Sequence, residues 1–204
     1  MQAKTIKYSL STLGALTLMV GLLVWRTDGF SNFTYESNRR ASVEDNPVEV
    51  SDWHLQNTKN EYVSLSSYQD EILFVDFIFT RCPTVCRALG SRYTQLQALI
   101  DANPSANIKL LSISIDPEFD TPKRLTLYRQ ANKGKEHSWE LVRPINQNIL
   151  ATILSETGVR VIPDELWGYT HTDSVHIIRN GLMTAIRDWD SEELDALIQN
   201  HSKS

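Results

Sequence analysis

Cys82 and Cys86 are the only two cysteines of this 204-residue chain, and they lie four positions apart. Cysteines this close cannot build the disulfide framework of a small secreted domain, and such a pair is typical of a redox dithiol or of two metal ligands. If a helix begins near Pro83, both sulfurs can face the same side of it. The free N–H groups of its first turn, together with Arg81 and Arg87, favour thiolate over thiol. Thiolates serve both disulfide exchange and the capture of a soft metal ion.

The choice between these two roles depends on a third ligand, and the chain has five histidines. Two thiolates and one imidazole suit Cu(I), whereas tetrahedral zinc requires a further ligand and no other cysteine is present. We expect three histidines to be exposed and without a ligand role: His54, His137 and His201. His176 lies in the middle of a predicted strand, where a packed core histidine is expected, and His171 lies in a predicted loop. On the residues alone, His171 is the preferred third ligand and His176 is the alternative.

Strand and helix patterns alternate along the chain after the first 47 residues, as in an α/β protein. Two continuous apolar runs, 71–80 and 108–116, predict strands buried on both faces, with a helix over 84–101 between them. The further predicted elements are a hairpin within 53–65, a helix from Thr121-Pro122 to about 131, a strand at 139–143, a helix at 146–157, a hairpin at 174–189 around Asn180-Gly181, and a C-terminal helix capped by Ser191. This order predicts a thioredoxin-like mixed sheet flanked by helices, with the cysteines at the carboxyl end of its first buried strand.

The start of the chain is apolar. Residues 8–25 carry no charge and follow Lys4 and Lys7, which predicts a single transmembrane helix with its start in the cytoplasm. The following residues lack the small side chains of a signal-peptide cleavage site, so we expect an uncleaved anchor over residues 1–27. A flexible polar tether over 28–47 and a folded domain over 48–204 complete the predicted organisation. The domain is then expected on the outer face of the inner membrane, in the periplasm or otherwise outside the cytoplasm.

The charge balance argues against one class of partner. The chain has 20 basic and 25 acidic side chains, for a net charge of −5. The first 27 residues hold three of the basic side chains and no acidic one, so residues 28–204 hold 17 basic and 25 acidic side chains, a net charge of −8. An acidic body without a basic block argues against nucleic acid as a partner.

Three motifs give the chain a specific resemblance. They are FIFTRCPTVC (77–86), SISIDPEFDTP (112–122) and YTHTDSVHIIRNG (169–181), which occur in this order behind the predicted anchor. In these motifs the chain resembles the Sco/SenC family of thioredoxin-fold copper proteins, which are membrane-anchored assembly factors for the CuA site of cytochrome c oxidase. The resemblance covers roughly residues 50–190.

The resemblance implies a ligand set, a cargo and partners. Cys82 and Cys86 match the family's thiolate ligands and His171 matches its imidazole ligand, for Cu(I), with Cu(II) left open. The implied partners are the copper-accepting subunit of a cytochrome c oxidase and a thiol reductase or copper donor outside the cytoplasm. Arg87 stands where the family tends to have proline, which leaves the client open. We interpret Asp116 and Asp120 as residues that shape the turn, although a contact with the partner stays open.

Three functions are considered for the cysteine pair. The first is a copper carrier, a metallochaperone rather than an enzyme. The second is a thiol–disulfide oxidoreductase that keeps the cysteines of a copper site reduced, which needs Cys82 and Cys86 but not His171. A peroxidase of the peroxiredoxin type shares the fold but fits the cysteine spacing poorly. A tethered module with idle cysteines is the remaining alternative.

Overall fold

The computed structural model describes residues 2–26, 35–81, 85–164, 168–172, 174–189 and 192–201. For residues 2–13, 35, 85–91 and 201 it describes the backbone alone. The chain divides into two compact units, Met1–Asp45 and Asn46–Ser204.

The first unit contains helix α1 (Gln2–Arg26) and helix α2 (Tyr35–Asp45). Among the residues that the structure describes, no helix is long and apolar enough to cross a membrane. The predicted fold class included a transmembrane helix, and that part of the prediction is therefore wrong. That prediction rested on an uncharged run of about 18 residues, which is near the lower length limit for a membrane span. The run also contains polar side chains, one of which, Thr17, donates its hydroxyl to the carbonyl of Gly14 at 3.0 Å.

Helix α2 lies within the segment predicted as a flexible tether. Its polar composition hid it, because the helix has no apolar stripe. Local ion pairs support it instead: Glu36 accepts from Arg39 at 2.9 Å and from Arg40 at 3.3 Å, at the i,i+3 and i,i+4 spacings that bring side chains together on a helix.

The second unit is built on one large sheet. In chain order its strands are β1 (Val48–Glu49), β2 (His54–Asn57), β3 (Tyr62–Ser64), β4 (Ile72–Ile78), β5 (Ile108–Ser114), β6 (Trp139–Pro144), β7 (Val161–Asp164), β8 (Gly168–His171), β9 (Val175–Arg179) and β10 (Leu182–Arg187). Its α-helices are α3 (Val85–Ala102), α4 (Pro122–Ala131), α5 (Gln147–Thr157) and α6 (Glu192–His201). In the described part of the chain, eight strands pair in the order β1-β10-β9-β4-β5-β6-β2-β3, and β7 pairs with β8 in a separate hairpin.

The centre of the sheet is parallel. Strand β5 pairs in parallel with β4 on one side and with β6 on the other, while β9 is antiparallel to β4. Every residue of β4 is buried, as its continuous apolar run predicts. This confirms the predicted thioredoxin-like mixed sheet flanked by helices.

The core joins the central strands to the helices. Tyr93 of α3 stacks on Trp139 of β6 with ring centroids 4.2 Å apart, and both side chains are fully buried. The Tyr93 hydroxyl donates to the buried carboxylate of Asp76, which also accepts from Ser112 at 2.5 Å. These contacts hold α3, the helix that carries Cys86, against β4 and β5.

Two local predictions on turns and caps are confirmed. Asn180 and Gly181 join β9 to β10 with φ angles of 51° and 73°, as a tight primed hairpin turn requires. Thr121 caps α4 by accepting from the N–H of Arg124 at 3.4 Å. The hairpin of β7 and β8 was not predicted, and His171 ends strand β8 instead of lying in a loop.

Candidate functional site

The candidate site begins where β4 ends. After Ile78 the chain passes through Phe79, Thr80 and Arg81 to Cys82, at the carboxyl end of the parallel strands, where α/β sheets place their chemistry. Cys82 lies outside the described residues. Cys86 is the second residue of α3, which begins at Val85, but its side chain is outside the description. The backbone therefore places Cys86 in the first helical turn, where free N–H groups favour a thiolate.

Asp120 fixes the chain just before the first cysteine. Its carboxylate accepts from the Thr80 N–H at 3.1 Å, from the Thr80 hydroxyl and from the Ser114 hydroxyl at 2.6 Å. Asp120 is fully buried, and this burial raises the pKa of its carboxyl, against the opposing effect of these hydrogen bonds. One carboxylate thus ties the segment after β4 to the end of β5.

Asp116 completes the turn between β5 and α4. Its N–H donates to the Ser114 hydroxyl at 3.0 Å, and its carbonyl accepts from the N–H of Asp120 at 2.8 Å. These contacts are those of residues that shape a turn, which is the interpretation favoured from the sequence.

The side chain of Arg81 contacts this same turn. Its guanidinium donates to the carboxylate of Asp116, a hydrogen bond that raises the pKa of Arg81. From the sequence, Arg81 and Arg87 are both expected to favour the thiolate form of the cysteine pair. Asp116 therefore balances part of the positive charge that Arg81 carries. The side chain of Arg87 lies outside the described residues.

His171 lies beside the segment that leads to the cysteines. Its ring packs edge-to-face on Phe79, with centroids 6.0 Å apart and an interplanar angle of 78°. Tyr169 packs on the same ring at 5.7 Å, and Phe79 is buried. Phe79 precedes Cys82 by three residues, so hairpin β7–β8 brings His171 to the cysteine segment from about 90 residues away in sequence.

One hydrogen bond sets the tautomer of His171. Its Nδ1 lies 3.0 Å from the carbonyl oxygen of Thr172. A carbonyl oxygen can only accept, so Nδ1 carries the proton and the lone pair of the neutral ring lies on Nε2. This arrangement, in which one ring nitrogen donates to a carbonyl and the other binds a metal, is common for metal-binding histidines.

The remaining histidines lie away from this arrangement. His176 is fully buried in β9 and packs edge-to-face on Phe77 at 5.6 Å, which confirms the predicted core histidine. His54 is exposed, and His137 is exposed with its Nε2 2.8 Å from a carboxylate oxygen of Asp101. The side chain of His201 lies outside the described residues. Within the described residues, no three His, Cys, Asp or Glu side chains form a metal-binding group.

Sequence reasoning missed the contacts that organise the site. Thr80 and Asp120 are 40 residues apart, and Phe79 and His171 are 92 apart, so no local pattern reports either contact. Phe79 and Tyr169 each lie within one of the quoted motifs, but nothing in the motifs indicates that their rings pack together.

A comparison with known families finds that residues 41–138 match the SCO1/SenC family model. The SCO1 protein homolog of Bacillus subtilis (strain 168) is 32% identical over 100 residues, which are 49% of this chain and 51% of that protein. The chain thus spans about half the length of the curated relative it matches.

Solved structures extend the likeness to most of the chain. The structure of Bradyrhizobium japonicum ScoI with copper bound has a TM-score of 0.63 at 18% identity, over 75% of this chain and 99% of that one. BsSco, described as a member of the Sco family of cytochrome c oxidase assembly proteins with a disulfide switch, has a TM-score of 0.66 at 24% identity, over 78% and 95%. At these identities the structures show a shared fold. Together with the match over residues 41–138, they confirm the resemblance of this protein to the SCO1/SenC family.

Proposed function

We propose that this protein binds copper through Cys82, Cys86 and His171 and delivers it to the CuA site of a cytochrome c oxidase. The observation that carries the proposal is the position of His171, whose ring lies on Phe79 beside the segment that enters the cysteine pair. The proton on Nδ1 is committed to Thr172, so Nε2 is the nitrogen available to a metal.

The donor set suits the cargo. Two thiolates and one neutral imidazole form a soft, low-coordinate environment, which favours Cu(I) over harder divalent ions. Three ligands also leave copper open to a thiolate from an acceptor protein. An acceptor can then take the ion by ligand exchange, without its release into solution.

Similar proteins support copper as the bound metal and a cytochrome c oxidase as the acceptor. A similar structure holds copper, and another belongs to a protein described as a cytochrome c oxidase assembly factor. The copper-accepting subunit of an oxidase is therefore the partner that we propose for this chain. A thiol reductase or a copper donor would act on the same cysteine pair.

The test is Cu(I) affinity, measured by competition with a chromophoric Cu(I) chelator on the reduced full chain. Removal of one of three ligands by His171→Ala should weaken Cu(I) binding by at least about tenfold. The control is His137→Ala, which removes an exposed imidazole and should leave the affinity within about twofold.

A second candidate function is the reduction of a disulfide in a target protein. It is favoured by the place of Cys86 in the first turn of α3, where its thiolate is stabilised without any metal. The same His171→Ala variant separates the two functions. If it binds copper as tightly as the parent and still reduces a target disulfide at the parent rate, the carrier function is wrong and the reductant function stands.

A further inference from the structure

Two guanidinium groups lie against one aromatic ring beside the cysteine segment. The guanidinium carbon of Arg124 is 3.4 Å from the ring centroid of Phe119, and that of Arg81 is 4.1 Å from the same centroid. Arg81 directly precedes Cys82, so this cluster of Arg81, Phe119 and Arg124 begins one residue from the first thiol. We call it the arginine cluster.

The two arginines differ in how their charge is balanced. Arg81 is paired with the carboxylate of Asp116. Among the residues that the structure describes, no carboxylate forms a salt bridge with Arg124, which is exposed and held by the Phe119 ring alone. Stacking on an aromatic face fixes a guanidinium without neutralising it. Arg124 is thus an oriented positive charge on the same ring as Arg81, the residue before Cys82.

The surrounding surface is more positive than the molecule as a whole. Lys123 is exposed beside Arg124, and Arg81 keeps 48% of its side chain exposed. The exposed carboxylate in the same turn is Glu118, which accepts from Gln147 at 3.3 Å. Asp116 and Asp120 are buried and turned towards Arg81 and Thr80. In a chain of net charge −5, this local excess of exposed cations stands out.

A role limited to folding does not account for the cluster. The segment before Cys82 is already held by four hydrogen bonds from Thr80 and Ser114 to Asp120. Arg124 adds no hydrogen bond to that arrangement among the described residues, and it lies on the outer surface of α4.

We propose that the arginine cluster selects thiol and disulfide partners that carry carboxylates next to their sulfur atoms, and that Arg124 is the residue that sets this preference. The proposal rests on the cysteine site of the proposed function and names the chemistry of its partner surface, an acidic segment flanking the partner's cysteines. A positive field near the reacting sulfurs raises the encounter rate with anions and lowers it with cations.

The reaction that reports this preference is thiol–disulfide exchange with a small disulfide. One cysteine thiolate attacks a sulfur of the probe, the probe's S–S bond breaks, and one probe thiolate leaves. The other cysteine thiolate then attacks the mixed disulfide and releases the second probe thiolate. The protein dithiol loses two electrons and becomes a disulfide, and the probe gains them.

Three aliphatic probes that differ in charge make the test: dithiodiglycolate, which is anionic; hydroxyethyl disulfide, which is neutral; and cystamine, which is cationic. Exchange rates are measured on the reduced full chain and on Arg124→Gln at low salt. Loss of the positive charge should slow the reaction with dithiodiglycolate by about three- to tenfold, leave the neutral probe within about twofold, and speed the reaction with cystamine. High salt should remove these differences.

The controls separate charge from structure. Arg124→Lys keeps the charge and should keep the preference for the anionic probe. Arg179→Gln removes an exposed positive charge at the opposite end of the sheet, where Arg179 pairs with Ile72, and should change none of the three rates. The proposal is wrong if Arg124→Gln changes all three rates alike, or changes none of them. Failure of Cu(I) binding in the same samples would refute the proposed function and leave the charge preference measurable.

Discussion

At the scale of single residues, Asp120 holds the chain at Thr80, just before the cysteine pair. Its buried carboxylate is the only described group that joins Thr80, two residues before Cys82, to Ser114 at the end of β5. The cost of this arrangement is the burial of a charge without a cationic partner among the residues that hydrogen-bond to it. Burial disfavours the charged form of the Asp120 carboxyl and therefore raises its pKa.

A pH dependence follows from this pKa. A carboxyl whose pKa is higher in the folded state binds its proton more tightly there. Its stabilising contribution to the free energy of unfolding is therefore complete at pH values below the ordinary pKa of 3.8, and it is lost as pH rises through the raised pKa. In Asp120→Asn the group no longer titrates. The free energy of unfolding of this variant, relative to the parent, should therefore increase as pH rises above 3.8. Urea unfolding over a pH series measures the difference, and a difference that is flat or falls with rising pH contradicts this account.

Residue type and motif single out the candidate site residues, but no local pattern reports the contacts around them. Cys82, Cys86 and His171 stand out by residue type and motif. The pairing of Arg81 with Asp116 was not foreseen, because 35 residues separate the two and both lie in motifs with other assigned roles. The same holds for Phe79 and His171, whose contact exists only once two strands have been placed.

At the scale of elements, hairpin β7–β8 decides where His171 lies. The hairpin stands apart from the large sheet and is largely exposed, so its position depends on a few contacts, above all those of Tyr169 and His171 with Phe79. Gly168 begins β8 with a φ of +87°, which side-chain-bearing residues rarely adopt. A Cβ at this position would lie 3.8 Å from the Phe79 ring, an ordinary contact, so the backbone conformation is the constraint.

Gly168→Ala tests this element. Forcing alanine into this conformation should lower the free energy of unfolding by about 1–2 kcal/mol and weaken Cu(I) binding a few-fold, since the strain is relieved by movement of the hairpin. Thr170→Ala changes an exposed side chain on the same strand. It should alter neither the free energy of unfolding nor the Cu(I) affinity appreciably. The role given to the hairpin is wrong if Gly168→Ala loses stability while copper affinity and the environment of His171 stay those of the parent.

The sequence predicted the long buried elements better than the short exposed ones. The run 71–80 contains β4, and Asn180-Gly181 located the β9–β10 turn, because burial and turn chemistry leave strong local patterns. Strands β7 and β8 have four residues each, and Pro163 interrupts the first, so neither shows a strand pattern. Helix α2 was missed because its stabilising contacts are ion pairs between charged residues.

At the scale of the whole molecule, an acidic protein presents a locally basic surface around Arg81, the residue before Cys82. The net charge of −5 argues against the broad basic face that nucleic-acid binding needs. It does not prevent Lys123 and Arg124 from acting locally, because charges farther away than about 10 Å are largely screened at ordinary salt. Partner choice is therefore expected to depend on the few charges around the site.

X-ray absorption spectroscopy of copper in the reduced, Cu(I)-loaded full chain reports the copper ligands directly. The account predicts a shell of two sulfurs and one nitrogen, with sulfur from Cys82 and Cys86 and nitrogen from His171. The nitrogen should disappear from the shell in His171→Ala. A sulfur-only shell in the parent protein, or a histidine nitrogen that persists in the variant, would contradict the account.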